Sequence, residues 1–273
     1  MMAENIFKVA AVQMVSSHDV ESNLADAEAL IADAARQGAR LVGLPEYFCL
    51  IGKRDGDKVA IREADGEGPI QAFLSATAAK HGVWLVGGTA PLVAGDANRV
   101  RNACLIYDNT GRRVARYDKI HLFGFQNGAE RYDESTTIEA GDTPVSLDSP
   151  FGKLGISVCY DLRFPELYRA FAPVDIIFVP SAFTATTGRA HWETLLRARA
   201  IENLAYVVAP AQGGTHTNRR STWGHSMIID PWGEILACKD EGPGVVIAEI
   251  DLAKNVKVRS SLPALEHRTL GAR

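Results

Sequence analysis

The chain has 273 residues, 47% of them hydrophobic and 23% charged. That is an ordinary globular composition, and it excludes disorder, collagen-like repeats and coiled coil as the main architecture. Its 29 basic and 33 acidic residues give a formal net charge of −4, which argues against non-specific nucleic-acid binding, since that needs a basic face.

The four cysteines, at positions 49, 104, 159 and 238, form no C-x-x-C pair, so a zinc ribbon or thioredoxin-like motif is excluded. A chain of this size buries enough core to do without a disulfide framework. The N-terminal MMAENIFKVAAVQM lacks the basic start and long apolar run of a signal peptide. No stretch reaches the ~18 apolar residues of a membrane span. The expectation is a cytoplasmic protein with reduced thiols and neither membrane nor nucleic acid among its partners.

In chain order, Ile6 to Met14 reads as a buried strand. Val20 to Gln37 reads as a helix, with Leu24, Ala27, Ile31 and Ala34 on one face and Gly38 past its end. Leu41 to Leu44 is a short strand stopped by Pro45. Pro69 to His81 is a helix with Pro at its start and Gly82 after it. Val83 to Gly88 is a strand, and Asn102 to Tyr107 pairs with Arg112 to Tyr117 around the turn signal at 108–111. The second half repeats the layout. Lys153 to Val158 is a strand, Pro165 to Phe171 a helix, Asp175 to Val179 a strand, Arg189 to Asn203 a helix and Ala205 to Ala209 a strand. Ser226 to Asp230 and Glu234 to Ala237 form a second hairpin, and Val245 to Ile250 closes the sheet region. Residues 122–150 read as the longest irregular stretch, of the kind that is often functional. The alternation predicts an α/β fold with right-handed crossovers, two sheets with helices on their outer faces, in one domain over residues 1–273.

Cofactor motifs are missing. Gly66-Glu67-Gly68 lacks the third glycine of a dinucleotide fingerprint and follows no strand. No P-loop, H-E-x-x-H or G-x-S-x-G occurs, and no histidines stand at metal-ligand spacing. A cofactor-free, metal-free enzyme or a small-acid binding module remains.

Three segments place a reactive residue just past a strand, where α/β sheets build their sites. Cys159 lies between an apolar strand and a Pro-initiated helix, where helix N–H groups favour a thiolate; the bland alternative is a space-filling buried thiol. Cys49, near Glu46, is a rival nucleophile, while Cys104 and Cys238 sit in hairpin strands. Glu46 follows Leu44-Pro45 in a segment too apolar for a solvated loop, so burial would raise its pKa and suit it to act as a base. Lys119 borders Ile120, Leu122 and Phe123 and needs an anionic partner if buried. His121 keeps a Cys–His dyad open.

Glu46 after the LP turn, Lys119 in YDKIHLF and Cys159 in VCYDLRFPE resemble, in that order, the Glu-Lys-Cys triad of the nitrilase superfamily of carbon–nitrogen hydrolases. The likeness runs from about Phe7 to the C-terminus and includes residues 180–203 and 223–237. It implies an α-β-β-α sandwich. The segments CYDLRFPE, AQGGTH and RRSTWGHSM look most like the branch of amidases acting on deaminated glutathione, with the ω-amidase branch as neighbour.

By this resemblance Cys159 is the nucleophile, Glu46 the base, Lys119 the oxyanion stabiliser and Glu134 a second glutamate, with Glu130 and Glu139 as alternatives to Glu134. The backbone N–H of Tyr160 assists Lys119, Arg163 holds a substrate carboxylate, and Phe183 and Thr187 line the pocket. The substrate is a small-molecule amide and the assembly a homodimer packed through 164–171 and 189–203, to which the apolar Leu167, Tyr168 and Phe171 point. The alternatives are an ω-amidase acting on α-ketoglutaramate, an N-carbamoyl amino acid amidohydrolase or a nitrilase.

Overall fold

The computed structural model describes residues 5–128 and 130–270. The first four residues of the N-terminal segment read above, Ala129, and the last three residues covered by the family resemblance lie outside them.

The first half runs β1 (Ile6–Gln13), α1 (Val20–Arg36), β2 (Ala39–Gly43), α2 (Asp57–Ala60), α3 (Pro69–His81), β3 (Trp84–Val86), β4 (Ala90–Val93), β5 (Val100–Tyr107) and β6 (Arg113–Asp118). A small hairpin, β7 (Gly124–Asn127) and β8 (Glu130–Asp133), follows. The second half runs β9 (Val145–Ser149), β10 (Gly152–Ile156), α4 (Pro165–Phe171), β11 (Ile176–Phe178), α5 (Ala185–Asn203) and β12 (Tyr206–Ala209). It continues through β13 (Gly213–Thr215), β14 (Ser221–Trp223), β15 (Ser226–Ile229), β16 (Ile235–Lys239), β17 (Gly244–Asp251) and α6 (Leu252–Ser261).

Strands of the first half, joined by β17 from the end of the chain, form a seven-stranded sheet in the order β17-β1-β2-β3-β5-β4, with β6 paired to β5. The second sheet has six strands in the order β16-β15-β12-β11-β10-β9. The layering follows from the side-chain alternation of β1. Phe7, Val9 and Ala11 enter a core shared with Ile156, Ile177 and Val208 of the second sheet. Ala10 and Val12 point the other way, onto Ala27, Ile31 and Ala34 of α1 and Leu74 and Ala78 of α3. A strand buried on both faces must be apolar throughout, which is why β1 lacks polar alternation. The second sheet carries α4 and α5 on its outer face, so the layers are α-β-β-α as expected. The sheets approach closely: a Cβ on Gly43 would stand 2.9 Å from the Phe178 ring.

Local chemistry sets the helix ends. Asp19 caps α1 by accepting from Ser22 N–H at 2.7 Å. Pro69 opens α3, and the buried Glu63 carboxylate takes the N–H groups of Ile70 and Gln71 at 2.6 and 3.1 Å. Gly82, at φ 63°, closes it.

The structure departs from the sequence reading, or adds to it, at several places. Residues 122–150 are not irregular but hold the β7–β8 hairpin and β9. The first two strands are only four residues each, and Asn127-Gly128 was the turn signal that marked them. β17, which the sequence left unassigned to either sheet, crosses back and pairs antiparallel with β1 along its whole length. α5 begins at Ala185 rather than Arg189, because Thr184 caps it through Thr187 N–H at 3.2 Å; the weak helix formers Thr186, Thr187 and Gly188 hid that first turn. Finally, Leu167, Tyr168 and Phe171 are buried within the chain. Phe171 packs on Gly155, where a Cβ would stand 2.6 Å from its ring, so these side chains are not spare apolar surface for an interface.

Candidate active site

Glu46, Lys119 and Cys159 each lie just past a strand, β2, β6 and β10 respectively. The Glu46 turn is held by Leu44 N–H donating to Val86 O at 2.9 Å and by Tyr47 N–H donating to Thr89 Oγ1 at 2.9 Å. Gly88 makes room for it: a Cβ there would meet Pro45 O at 2.2 Å. From the other half of the chain Gln212 Nε2 reaches Glu46 O at 3.1 Å. Lys119 N–H donates to Asn102 O at 3.1 Å.

Cys159 opens a 3-10 turn, Cys159–Arg163, that leads into α4. Its φ of 51° is left-handed, a conformation that costs a β-carbon residue of order 1–3 kcal/mol and persists only where its surroundings enforce it. Here Cys159 N–H donates to Pro180 O at 2.9 Å, and Val158 N–H is held by the Asp161 carboxylate at 2.8 Å.

The polar centre is a row of three charges inside the protein. The Lys119 ammonium donates to Glu46 Oε1 at 2.9 Å and to Glu134 Oε2 at 2.7 Å. Lys119 is fully buried and Glu46 is 1% exposed. Asn102 Nδ2 also donates to Glu46 Oε1, at 2.9 Å. Glu134 further accepts from Phe123 N–H and from the Tyr47 hydroxyl, each at 2.7 Å.

One cation shared by two carboxylates splits their titration. Burial raises the Glu46 pKa, and Lys119 does not offset it because the Glu134 charge adds to the rise. Burial acts on Glu134 too, but Lys119 and the donors on both its oxygens outweigh it and hold that group below its ordinary value. Lys119 stays charged: burial opposes the ammonium, and Glu134 and Glu46 more than compensate. Cys159 is pushed well above an ordinary thiol by burial and by the Glu46 carboxylate. That direction runs against the expectation that helix N–H groups favour a thiolate here.

Among the alternatives, Glu130 accepts from Thr186 Oγ1 and Glu139 pairs with Arg101, so Glu134 alone of the three joins Lys119. His121 is occupied elsewhere: its Nδ1 lies 2.7 Å from Asp161 Oδ1, and its ring stacks on Phe164 at 3.7 Å. Cys49 is buried with its Sγ directed to Thr89 O and its pKa pushed up to about 12 by burial. Cys104 belongs to the inter-sheet core, and Cys238 is exposed.

Cys159 opens into a cleft shared by Phe123, Tyr160, Arg163, Phe183 and Thr187. The structure thus groups Glu46, Lys119 and Glu134 in one row and Cys159, Tyr160, Arg163, Phe183 and Thr187 around one cleft. The Arg163 guanidinium lies 5.7 Å from the Tyr160 ring and 5.4 Å from the Phe183 ring, with His191 Nδ1 3.3 Å from its Nη1. It forms no ion pair among the described residues, so its fork is available to an anion. Sequence reasoning missed Asn102, Tyr47 and Asp161. The apolar run around Tyr47 was the one signal for it; Asn102 and Asp161 gave none.

Among the described residues no group of three or more His, Cys, Asp or Glu side chains could hold a metal ion, and no helix is long and apolar enough to cross a membrane.

A family model described as carbon-nitrogen hydrolase matches residues 8–260. A Synechocystis protein named deaminated glutathione amidase is 46% identical over 268 residues, which cover 96% of this chain and 98% of that one. Among solved structures, the Caenorhabditis elegans NitFhit protein superposes with a TM-score of 0.87 at 40% identity over 98% of this chain; the chain spans 66% of that longer protein. Saccharomyces cerevisiae Nit3, described as a member of branch 10 of the nitrilase superfamily, gives 0.86 at 30% identity over 96% of each chain. With the matched segment running from β1 into α6, and the Synechocystis relative alike along nearly its whole length, this chain belongs to the carbon-nitrogen hydrolase family.

Proposed function

We propose that the protein is an amidase that hydrolyses the amide of an α-keto acid, deaminated glutathione foremost, through a thioester on Cys159. The observation that carries this reading is the buried Glu46–Lys119–Glu134 row beside a thiol at the floor of an arginine-bearing cleft. The name of the Synechocystis relative supports the choice of substrate.

Glu46 takes the Cys159 proton as the sulfur bonds to the amide carbonyl carbon and the carbonyl electrons move onto oxygen. Because both groups are raised, the proton moves with the attack rather than before it. Lys119 and the Tyr160 N–H meet the oxyanion, an effect of roughly 2.7–4 kcal/mol per donor. The carbon–nitrogen bond then breaks, and Glu46 returns the proton to the departing amine. In the second half Glu46 takes a proton from water, whose oxygen attacks the thioester; the sulfur leaves and recovers its proton from Glu46. Glu134 orients Lys119 and receives the amine. The residues present need no metal or organic cofactor for these steps.

Arg163 binds the carboxylate of the keto acid, and Phe183 and Thr187 close around it. This favours a keto-acid amide over a small neutral nitrile. Residues 1–273 act as one domain in this reading, since β17 ties the end of the second half to β1. Four unpaired thiols suit a reducing compartment such as the cytoplasm. A homodimer packed through α5 belongs to the same reading, supported by Ile201 of α5 at 46% and nearby Trp232 at 62% exposure. A panel of deaminated glutathione, α-ketoglutaramate, a carbamoyl amino acid and a nitrile tests the assignment. It stands if the first is hydrolysed best and falls if the carbamoyl compound or the nitrile is.

A further inference from the structure

Phe123 is a wall common to two clefts. On one side lies the Cys159 cleft with Arg163. On the other, a cleft is lined by Tyr47, Glu134, Lys58 and Arg220. It adjoins a further hollow that shares Tyr47, Lys58 and Arg220. The second cleft therefore begins at Glu134, the carboxylate that meets the departing amine.

Its two cations have no ion pair among the described residues. Lys58 Nζ donates only to Thr137 Oγ1, at 3.3 Å, and stands 5.4 Å from the Tyr47 ring. The Arg220 guanidinium lies 4.6 Å over the Tyr132 ring, and its buried Nε has no hydrogen-bond partner. Three carboxylates border the cleft. Glu134 is committed to Lys119, Tyr47 and Phe123. Asp133 is taken by Ser135. Asp55 makes a bond to neither cation. Burial pulls the Lys58 pKa down despite the nearby Glu134 and Asp55 charges. A partly buried guanidinium and ammonium side by side, both short of an acceptor, fit one incoming carboxylate.

We infer that this cleft is the leaving-group subsite, and that Lys58 and Arg220 bind a free carboxylate at the far end of the departing amine. The inference rests on the amidase reading above and adds the residues that hold its amine half, a short peptide with a free C-terminus. Two extended residues reach about 7 Å, and the cleft that starts at Glu134 also carries Lys58 and Arg220 on its lining. The enzyme then holds its substrate at both ends, with the acyl carboxylate on Arg163 and the amine carboxylate on Lys58 and Arg220, and the scissile amide at Cys159 between them.

The test compares deaminated glutathione with its C-terminal carboxamide, which differs only in that charge. In the wild-type enzyme kcat/KM favours the carboxylate at least tenfold. In Lys58→Met with Arg220→Met that ratio falls to within twofold of unity, and Arg220→Lys gives an intermediate value. A ratio taken within each variant cancels any general damage to the site. Calorimetric binding of cysteinylglycine and its carboxamide reads the subsite without turnover, and the same preference and the same loss are expected. Equal use of carboxylate and carboxamide by the wild type, or a preference untouched in the double variant, overturns the subsite while the amidase reading stands. If no keto-acid amide is hydrolysed yet the dipeptide preference appears and vanishes with the double variant, the amidase reading fails and the anion site stands.

Discussion

The Tyr117 hydroxyl donates to the Asp161 carboxylate at 2.7 Å, and both residues are buried. Tyr117 belongs to β6, two residues before Lys119; Asp161 lies two residues after Cys159. This bond therefore ties the first sheet to the second at the point where the Lys119 ammonium must face the Cys159 sulfur. Asp161 also accepts from the N–H groups of Val158 and His121, so one carboxylate fixes both strand ends.

Tyr117→Phe should lower stability by about 1.5–3 kcal/mol, the usual loss for a hydrogen bond to a charged group. If the bond positions Lys119 against Cys159, kcat should fall with KM little changed. Thermal unfolding with steady-state kinetics checks this. A loss of stability at full kcat would make the bond structural only.

If Glu46 is the base, it should set the acid limb of kcat/KM. It accepts a proton only when ionised, and burial raises its pKa above 4.5, so activity should fall on acidification while the pH is still above the ordinary carboxylate range. The stability contribution has the opposite sign. A group raised in the folded state stabilises fully below its unfolded pKa and loses that contribution as pH rises through the folded value. Acidification through this limb should therefore stop turnover without unfolding through Glu46. Glu134, whose pKa is lowered, stabilises above its unfolded value and loses that contribution as pH falls through its folded one. A pH–rate profile run beside a pH–melting profile separates the two.

Lys119→Met leaves two buried carboxylates without their cation. Removing one partner of a buried pair costs about 3–5 kcal/mol, so this variant should be poorly folded or much less stable at neutral pH. Glu46→Gln keeps the Lys119–Glu134 pair and should fold well yet be inactive. Circular dichroism melts of the two variants decide it; equal stability would mean that the row is not charged as described.

These three positions were legible because each reactive residue follows an apolar strand, and the motif order carried the family likeness. The helix over Pro69–His81 was equally plain, since Pro and Gly punctuate it. Asn102 and Asp161 were not legible. Each acts on residues far away in sequence, Asn102 on Glu46 and Asp161 on Tyr117 and His121, and nothing local marks a polar side chain that will be buried to meet them. The destination of β17 was hidden for a related reason: alternation shows that a strand is buried, not which sheet it joins.

Arg163→Leu removes the group proposed to bind the keto-acid carboxylate. The loss should be roughly 2–5 kcal/mol by analogy with buried charge pairs, about 30- to several-thousand-fold in kcat/KM at 1.36 kcal/mol per tenfold. A neutral ester acylating Cys159 should lose much less. Equal losses for both substrates would assign Arg163 to the packing of Tyr160 and Phe183 instead.

The most direct test of the account is to locate the covalent intermediate. Enzyme quenched in acid during turnover of a keto-acid amide, then digested and mapped by mass spectrometry, should carry the acyl group on Cys159. Cys159→Ala should carry none and be inactive, while Cys49→Ala, Cys104→Ala and Cys238→Ala keep most activity. An acyl group on Cys49, or a fully active Cys159→Ala enzyme, would contradict the account.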